Sequence, residues 1–326
     1  MSLPEIKYCP GTLKEGLSGY SNIALKRVFR VKKVSHILTY ESPTSNIDAN
    51  ALFTENRKRM SISGVQEKFS VLLEKNKLRL VKEREQGGYI LKPIPNVGKN
   101  TDQMPANEHL SMQIARQVFG IETAENALIF FKNGDPAYLT KRFDVKEDGS
   151  KWAQEDFASL AGRTPQTHGE DFKYLGNYLD LFKLLKKYVP AYQIESIKLF
   201  KLLLFNYLIS NGDAHFKNFS LIETPLGDFK LSPAYDLLNS RIHIEDRDFA
   251  LNEGLLPLSK ANGKIKEQFY SLGELAGIQY KQTIQSIQSL TSNEAKVLTL
   301  IKGSYLNEKT KRNYMQAYQT RLEKLL

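Results

Sequence analysis

The chain is short of the residues that staple or ligate. One cysteine, Cys9, in 326 residues excludes an intrachain disulfide framework and a cysteine-based metal cluster, and fits a reducing compartment. His36, His109, His168 and His243 show no metal-ligand spacing. No apolar run of signal-peptide length opens the chain over Met1–Pro10, and the most hydrophobic stretch, Leu199–Ile209, is short and broken by Lys201. A soluble, cytoplasmic protein without a membrane partner is therefore expected. Internal repeats and low-complexity tracts are absent, and the 12 prolines and 20 glycines are scattered, which argues against extended disorder. A Walker motif, a G-x-G-x-x-G loop, a zinc finger and a basic zipper are also missing.

What the chain does have is core-forming material: 41% hydrophobic and 10% aromatic residues, enough for one large or two medium domains. The formal net charge is +10, which invites a nucleic-acid reading, but its distribution is uneven. Residues 1–80 carry a net +7, residues 81–259 a net −3 and residues 260–326 a net +6. The basic ends are candidate docking surfaces. A slightly acidic centre in a basic protein needs another explanation for its carboxylates.

Residues 1–57 hold turn signals and the basic cluster Lys26, Arg27, Arg30, Lys32 and Lys33 without a long periodic element, and are expected to form an irregular flank. From Phe69 three short strands are expected, over 69–73, 78–81 and 89–92, joined by turns. Apolar residues at three- and four-residue spacing predict a helix over 106–119, with Glu108 in its first turn. Asn133-Gly134 between two apolar runs predicts a hairpin over 127–140. Beyond Arg142 the periodicity turns helical, over 155–161, 175–188, 192–209 and several segments after Leu255, with one strand pair, 219–222 and 229–231, embedded. The expected architecture is α+β: a flank over 1–57, a small β-rich lobe over 58–142 and a larger, mainly helical lobe over 143–326.

The most informative segment is Asn-Gly-Asp-Ala-His-Phe-Lys-Asn at 211–218, which ends a long expected helix and leads into the embedded hairpin. Tyr235-Asp236 lies just past that hairpin. Asp, Asn five residues later, a hairpin, then a second Asp is the layout of a kinase catalytic loop followed by a metal-binding loop. Phosphoryl transfer needs a carboxylate at the attacking hydroxyl and oxygen ligands for magnesium on the phosphates. Asp213 suits the first role, Asn218 and Asp236 the second, and Lys217 can neutralise the transferring phosphate. The same residue types also favour surface turns and helix caps, and His215 is equally suited to structuring the loop or to simple packing. Lys92, at a strand end after Ile90 and Leu91, is placed to reach nucleotide phosphates, with Glu108 as its ion-pair partner. Singly, each is also an ordinary strand-end or helix-start residue. The Ser/Gly segment 61–64, including Ser63 and Gly64, can present backbone N–H groups to phosphate, and its two serines suit a turn equally well.

These motifs, with Tyr-Ile-Leu-Lys-Pro at 89–93, Asn-Glu-His at 107–109, Lys-Arg-Phe-Asp at 141–144 and Gln-Glu-Asp-Phe at 154–157, run in order over about residues 57–255. Together they resemble HipA-like serine/threonine kinases, the toxins of bacterial toxin–antitoxin systems. The resemblance implies a two-lobed protein-kinase or phosphatidylinositol-kinase-like fold using ATP and Mg2+. It implies that Lys92 binds ATP phosphates, Lys141 to Phe143 form the adenine-contacting hinge, Gln154 lies near the nucleotide, Asp213 is catalytic, and Asn218 and Asp236 ligate the metal. Ser61 matches the autophosphorylated loop serine, and Ser63 is a second one. A phosphate there would repel the ATP phosphates and switch the enzyme off. The double serine and the short stretch before Ser61 resemble the short form, HipT. That form implies tryptophanyl-tRNA synthetase as target, with a HipB-like helix-turn-helix antitoxin and a HipS-like small protein as partners, and DNA engaged only through the antitoxin. Two other classes remain: a kinase-like nucleotide-binding scaffold acting with an antitoxin on DNA, motivated by the basic ends, and a small-molecule kinase with the same core.

Overall fold

The structure is a computed structural model and describes residues 5–45, 47–57, 67–245 and 247–326. The chain partitions into two compact units, one comprising residues 1–113, 124–150 and 299–311, the other residues 114–123, 151–298 and 312–326.

The first unit begins with helices α1 (Asn22–Phe29) and α2 (Ile47–Arg57), so the stretch expected to be an irregular flank contains two short helices. Ser21 starts α1 by accepting a hydrogen bond from the Ala24 amide at 3.2 Å, which satisfies one orphan donor of the first turn. Eight residues are too few for hydrophobic periodicity to stand out, and α1 is held instead by what it covers. Strands β1 (Phe69–Glu74), β2 (Lys77–Leu80) and β3 (Tyr89–Lys92) form the expected meander. After it come α3 (Met104–Gln117) and the hairpin β4 (Asn126–Phe130) and β5 (Pro136–Lys141). The sheet is antiparallel in the order β2-β1-β3-β5-β4. Gly134 takes a φ of +91° at the hairpin turn, where a side chain would be strained. Phe69, Val71, Leu91, Ala127, Ile129 and Leu139 alternate onto one buried face, and Val28, Phe29, Val34, Leu38 and Phe53 from the first 57 residues pack with them. The early segment thus supplies part of the sheet's own core. The Phe53 ring lies 4.6 Å from Phe69 in a T-shaped pair, a favourable edge-to-face geometry.

The second unit is mainly helical. Its elements are β6 (Gln154–Asp156), α4 (Phe157–Leu160), α5 (Pro165–His168), α6 (Leu179–Tyr188), α7 (Tyr192–Leu208), β7 (Ser220–Glu223), β8 (Phe229–Leu231), α8 (Ile265–Leu275) and α9 (Tyr280–Thr291). Helices α10 (Glu294–Lys302) and α11 (Glu308–Glu323) straddle the partition, as α3 does with its residues from Ile114 on. The helix expected over 155–161 is half strand: Gln154–Asp156 pair antiparallel with β7, making a three-stranded sheet β6-β7-β8. Helicity begins only at Phe157, where the Asp156 carboxylate caps the turn through the Ser159 amide at 2.9 Å. Likewise α6 starts at Leu179 rather than Leu175, whose backbone is extended. Helix α7 is buried over Leu199, Phe200 and Leu202 to Leu208, nearly all round, as befits a central helix. Among the described residues no helix is long and apolar enough to cross a membrane.

Candidate functional site

In the first unit, β3 delivers Lys92 at its end. The ammonium sits 2.6 Å from Glu108 Oε1 and 5.3 Å from the centre of the Tyr138 ring. Lys92 and Glu108 are 4% and 2% exposed, so this ion pair is taken almost wholly out of water. Glu108 lies one turn further into its helix than expected, because α3 already begins at Met104 after a 3-10 turn over Thr101–Gln103. Lys141 ends β5 opposite Tyr89, and burial, reinforced by the nearby Arg30, lowers its pKa. Phe143 follows it, partly buried, flanked by an ion pair between Arg142 and Asp144. The expected phosphate-loop residues Ser61, Ser63 and Gly64 lie outside the described residues.

In the second unit the Asp213 loop is held by hydrogen bonds to the helix before it and to side chains from other segments. Helix α7 stops at Leu208, and Ser210 takes a left-handed φ of +56°. Asn211 then anchors the turn, its Nδ2 donating to Asn206 Oδ1 at 2.7 Å. The Gly212 amide donates to Ser240 Oγ at 2.7 Å. A Cβ on Gly212 would stand 3.0 Å from the Arg247 carbonyl oxygen, so a side chain here would press on that backbone and glycine allows its close approach. The Asp213 carboxylate accepts a 2.8 Å hydrogen bond from the Tyr174 hydroxyl. Burial and the adjacent Asp213 charge raise the Tyr174 pKa, so this phenol stays a donor.

Beyond Asp213 the loop closes on itself. The His215 amide donates to Asn218 Oδ1 at 3.0 Å and the Asn218 amide donates to the His215 carbonyl at 2.9 Å. The His215 ring meets Tyr174 edge-on at 5.1 Å, and burial pushes its pKa down to about 4, leaving a neutral imidazole at neutral pH. Asn218 Nδ2 lies 3.5 Å from Asp236 Oδ2, and Asp236 itself has a left-handed φ of +54°, a conformation that Asp tolerates better than most residues. Lys217 is turned onto Asp156 Oδ2 at 3.0 Å, and its carbonyl accepts from the Tyr235 hydroxyl at 3.0 Å. Gln154, at the start of β6, donates to Ser220 Oγ at 2.9 Å.

A cavity of about 710 Å³ opens beside Asp213, lined also by Tyr174, Glu245, Arg247, Phe249 and Asn252. It gives a carboxylate a concave, partly apolar approach for a hydroxyl-bearing substrate. Asp236 and Asn218 put one carboxylate and one carboxamide side by side, with the Asn218 Nδ2 facing Asp236 and its Oδ1 accepting from the His215 amide; they would hold a magnesium ion through the Asp236 carboxylate and the second lone pair of Asn218 Oδ1, the remaining positions going to waters and substrate phosphates. No cluster of three or more His, Cys, Asp or Glu suited to a metal occurs among the described residues. Tyr174 carries no motif, and nothing in its local sequence marks its bond to a carboxylate 39 residues away.

A family model described as HipA-like C-terminal domain matches residues 60–301. A Haemophilus influenzae protein named "Putative kinase" is 25% identical over 343 residues, covering 99% of this chain and 97% of its own length. A Sinorhizobium fredii protein named "Putative kinase Y4dM" is 33% identical over 225 residues, covering 64% of this chain and 52% of that one. Among solved structures, a chain from the Shewanella oneidensis complex of HipA, HipB and operator DNA superposes with a TM-score of 0.63 at 18% identity, covering 87% of this chain and 72% of that one. The Helicobacter pylori proinflammatory kinase CtkA gives a TM-score of 0.51 at 13% identity, covering 78% of this chain and 92% of that one. At these identities the two structures establish a shared, kinase-like fold.

Proposed function

The chain belongs to the HipA-like C-terminal domain family, and from that premise we propose that it is an ATP-dependent protein kinase acting on serine or threonine. The observation that carries this reading is the loop arrangement: Asp213 lines a cavity, and Asn218, five residues on, comes within 3.5 Å of Asp236, eighteen residues further along the sequence. The kinase names of the relatives support the same chemistry.

In this reading the acceptor hydroxyl oxygen attacks the γ-phosphorus of ATP, the bond from phosphorus to the β,γ-bridging oxygen breaks, and ADP leaves. The hydroxyl proton goes to the Asp213 carboxylate, which Tyr174 holds in place. Lys92, fixed by Glu108, carries the positive charge that the nucleotide phosphates need. Asn218 and Asp236 would hold magnesium, which supplies charge neutralisation on those phosphates. Lys217 is committed to Asp156 in this structure and reaches a transferring phosphate by exchanging that partner. Lys141 to Phe143 are assigned to the adenine ring and Gln154 to its neighbourhood by the resemblance of their motifs.

The finer assignments rest on the resemblance as well. Ser61 and Ser63 are the proposed autophosphorylation sites. An aminoacyl-tRNA synthetase is the proposed target, with tryptophanyl-tRNA synthetase favoured by the short-form serine loop. A HipB-like antitoxin, a HipS-like small protein and a cytoplasmic setting follow from the same comparison, and the Shewanella oneidensis complex with HipB supports the antitoxin. The test is transfer of labelled γ-phosphate from ATP to a synthetase panel by wild type and Asp213→Asn. Loss of a general base is expected to lower kcat by at least about a hundredfold. Equal incorporation by the two proteins would remove Asp213 from the mechanism, and no transfer by wild type to any protein, itself included, would remove the kinase.

A further inference from the structure

Arg321, in the last turn of α11, is 2% exposed. A guanidinium is seldom buried this deeply unless its charge and donors are met, and the groups that meet this one belong to the walls of the Asp213 loop. Its Nη1 pairs with the Asp248 carboxylate. Its Nε donates to Ser210 Oγ at 3.3 Å and its Nη2 to the Arg247 carbonyl at 3.4 Å, while the guanidinium lies 5.0 Å over the Tyr207 ring. Two separate stretches of chain are therefore gripped by one side chain: 207–210, which feeds the loop, and 247–248, which flanks it.

Both stretches bear directly on Asp213. Ser210 is a non-glycine residue in the left-handed region, a conformation that persists only where its surroundings hold it. Its carbonyl is held by the Ser240 amide at 3.2 Å and the Ser240 hydroxyl at 3.1 Å, and its hydroxyl by Arg321. The Arg247 carbonyl that receives Nη2 is the group that Gly212 packs against, one residue before Asp213. Arg247 also lines the cavity with Asp213.

We propose that Arg321 is a positioning residue: through it the carboxyl-terminal helix sets the loop that carries Asp213 and the 247–248 wall of the adjoining cavity. The proposal rests on the kinase reading for its kinetic consequence but not for its structural one. Arg321→Gln, Arg321→Lys and Asp248→Asn are compared with wild type in γ-phosphate transfer and in hydrogen exchange. The expected result for Arg321→Gln is a kcat at least tenfold lower with KM for ATP within twofold. Faster exchange should be confined to peptides spanning 207–213 and 245–250, with α9 unchanged, and Arg321→Lys should recover part of kcat. A merely structural role would instead speed exchange throughout the unit. Uniform acceleration, or a folded Arg321→Gln with kcat within twofold and unchanged exchange at 207–213, overturns the proposal. If Arg321→Gln does not fold, Asp248→Asn, altered at the half-exposed partner, is held to the same localised exchange. If wild type transfers no phosphate, the kinase reading fails and the exchange pattern alone decides the role of Arg321.

Discussion

The Lys92–Glu108 pair separates stability from function in a way that can be measured. With Nζ and Oε1 2.6 Å apart and both side chains nearly excluded from water, the exposed-pair value of about 0–1 kcal/mol does not apply. Removing one partner strands a charge in the interior, which costs about 3–5 kcal/mol. For a cooperative unit of this size, roughly 3 °C per kcal/mol converts that into a fall in Tm of about 9–15 °C for Glu108→Gln. Replacing both partners with apolar residues removes the desolvation along with the attraction, so Lys92→Met combined with Glu108→Leu is expected to regain wild-type Tm or exceed it. The two outcomes diverge in activity. The single variant retains a cation for nucleotide phosphates, whereas the stable double variant has none and should lose ATP binding. Calorimetric unfolding gives the first quantity and titration with ATP the second. A Glu108→Gln Tm within about 2 °C of wild type would refute the burial argument, and a double variant that binds ATP normally would refute the role of Lys92.

Two further outcomes are expected. Tyr174→Phe deletes a hydrogen bond to a carboxylate, worth about 1.5–3 kcal/mol, and should lower kcat about ten- to a hundredfold with KM for ATP unchanged in steady-state assays; an unchanged kcat would show that Asp213 needs no such anchor. Burial pushes the His109 pKa down to about 3, and the ring Nε2 has no partner among the described residues, so the folded protein resists the proton that the unfolded chain accepts near pH 6.5. Stability from this group is therefore full above pH 6.5 and is lost as pH falls toward 3, by on the order of 1.4 kcal/mol per pH unit. His36 and His215 are depressed in the same direction, so His109→Met should flatten only part of the urea-measured slope between pH 6.5 and 5. An identical slope in that variant would show that His109 does not couple folding to protons.

What could be read from the sequence was what short stretches decide by themselves. Alternation and turn residues mark β1 to β5 because each strand must face one core and each turn must reverse the chain. Asp213, Asn218 and Asp236 were visible because their spacing brackets a hairpin that local patterning already shows. Residues 154–156 were not, since their carboxylates merge into the helical pattern of Phe157–Leu160, and only pairing with β7, some 66 residues on, makes them a strand. The first 57 residues were obscured differently: α1 buries Ala24, Val28 and Phe29 on one face but is only eight residues long, and Val28, Phe29 and Phe53 gain their meaning from the sheet that they cover. Arg321 is the extreme case. It sits on a strongly polar helix, where any arginine passes as solvated, and its bond to Ser210 spans 111 residues. Groups that do chemistry have to be brought within a few ångströms of the reacting atoms, and where they share adjoining loops, as the proposed Asp213, Asn218 and Asp236 do, that confinement leaves a trace in local spacing. Groups that hold such a loop still are under no such limit. They can come from any element that packs beneath it, so a residue proposed to hold this loop, as Arg321 is, is hidden from motifs for the same physical reason that the proposed reactive residues are exposed by them.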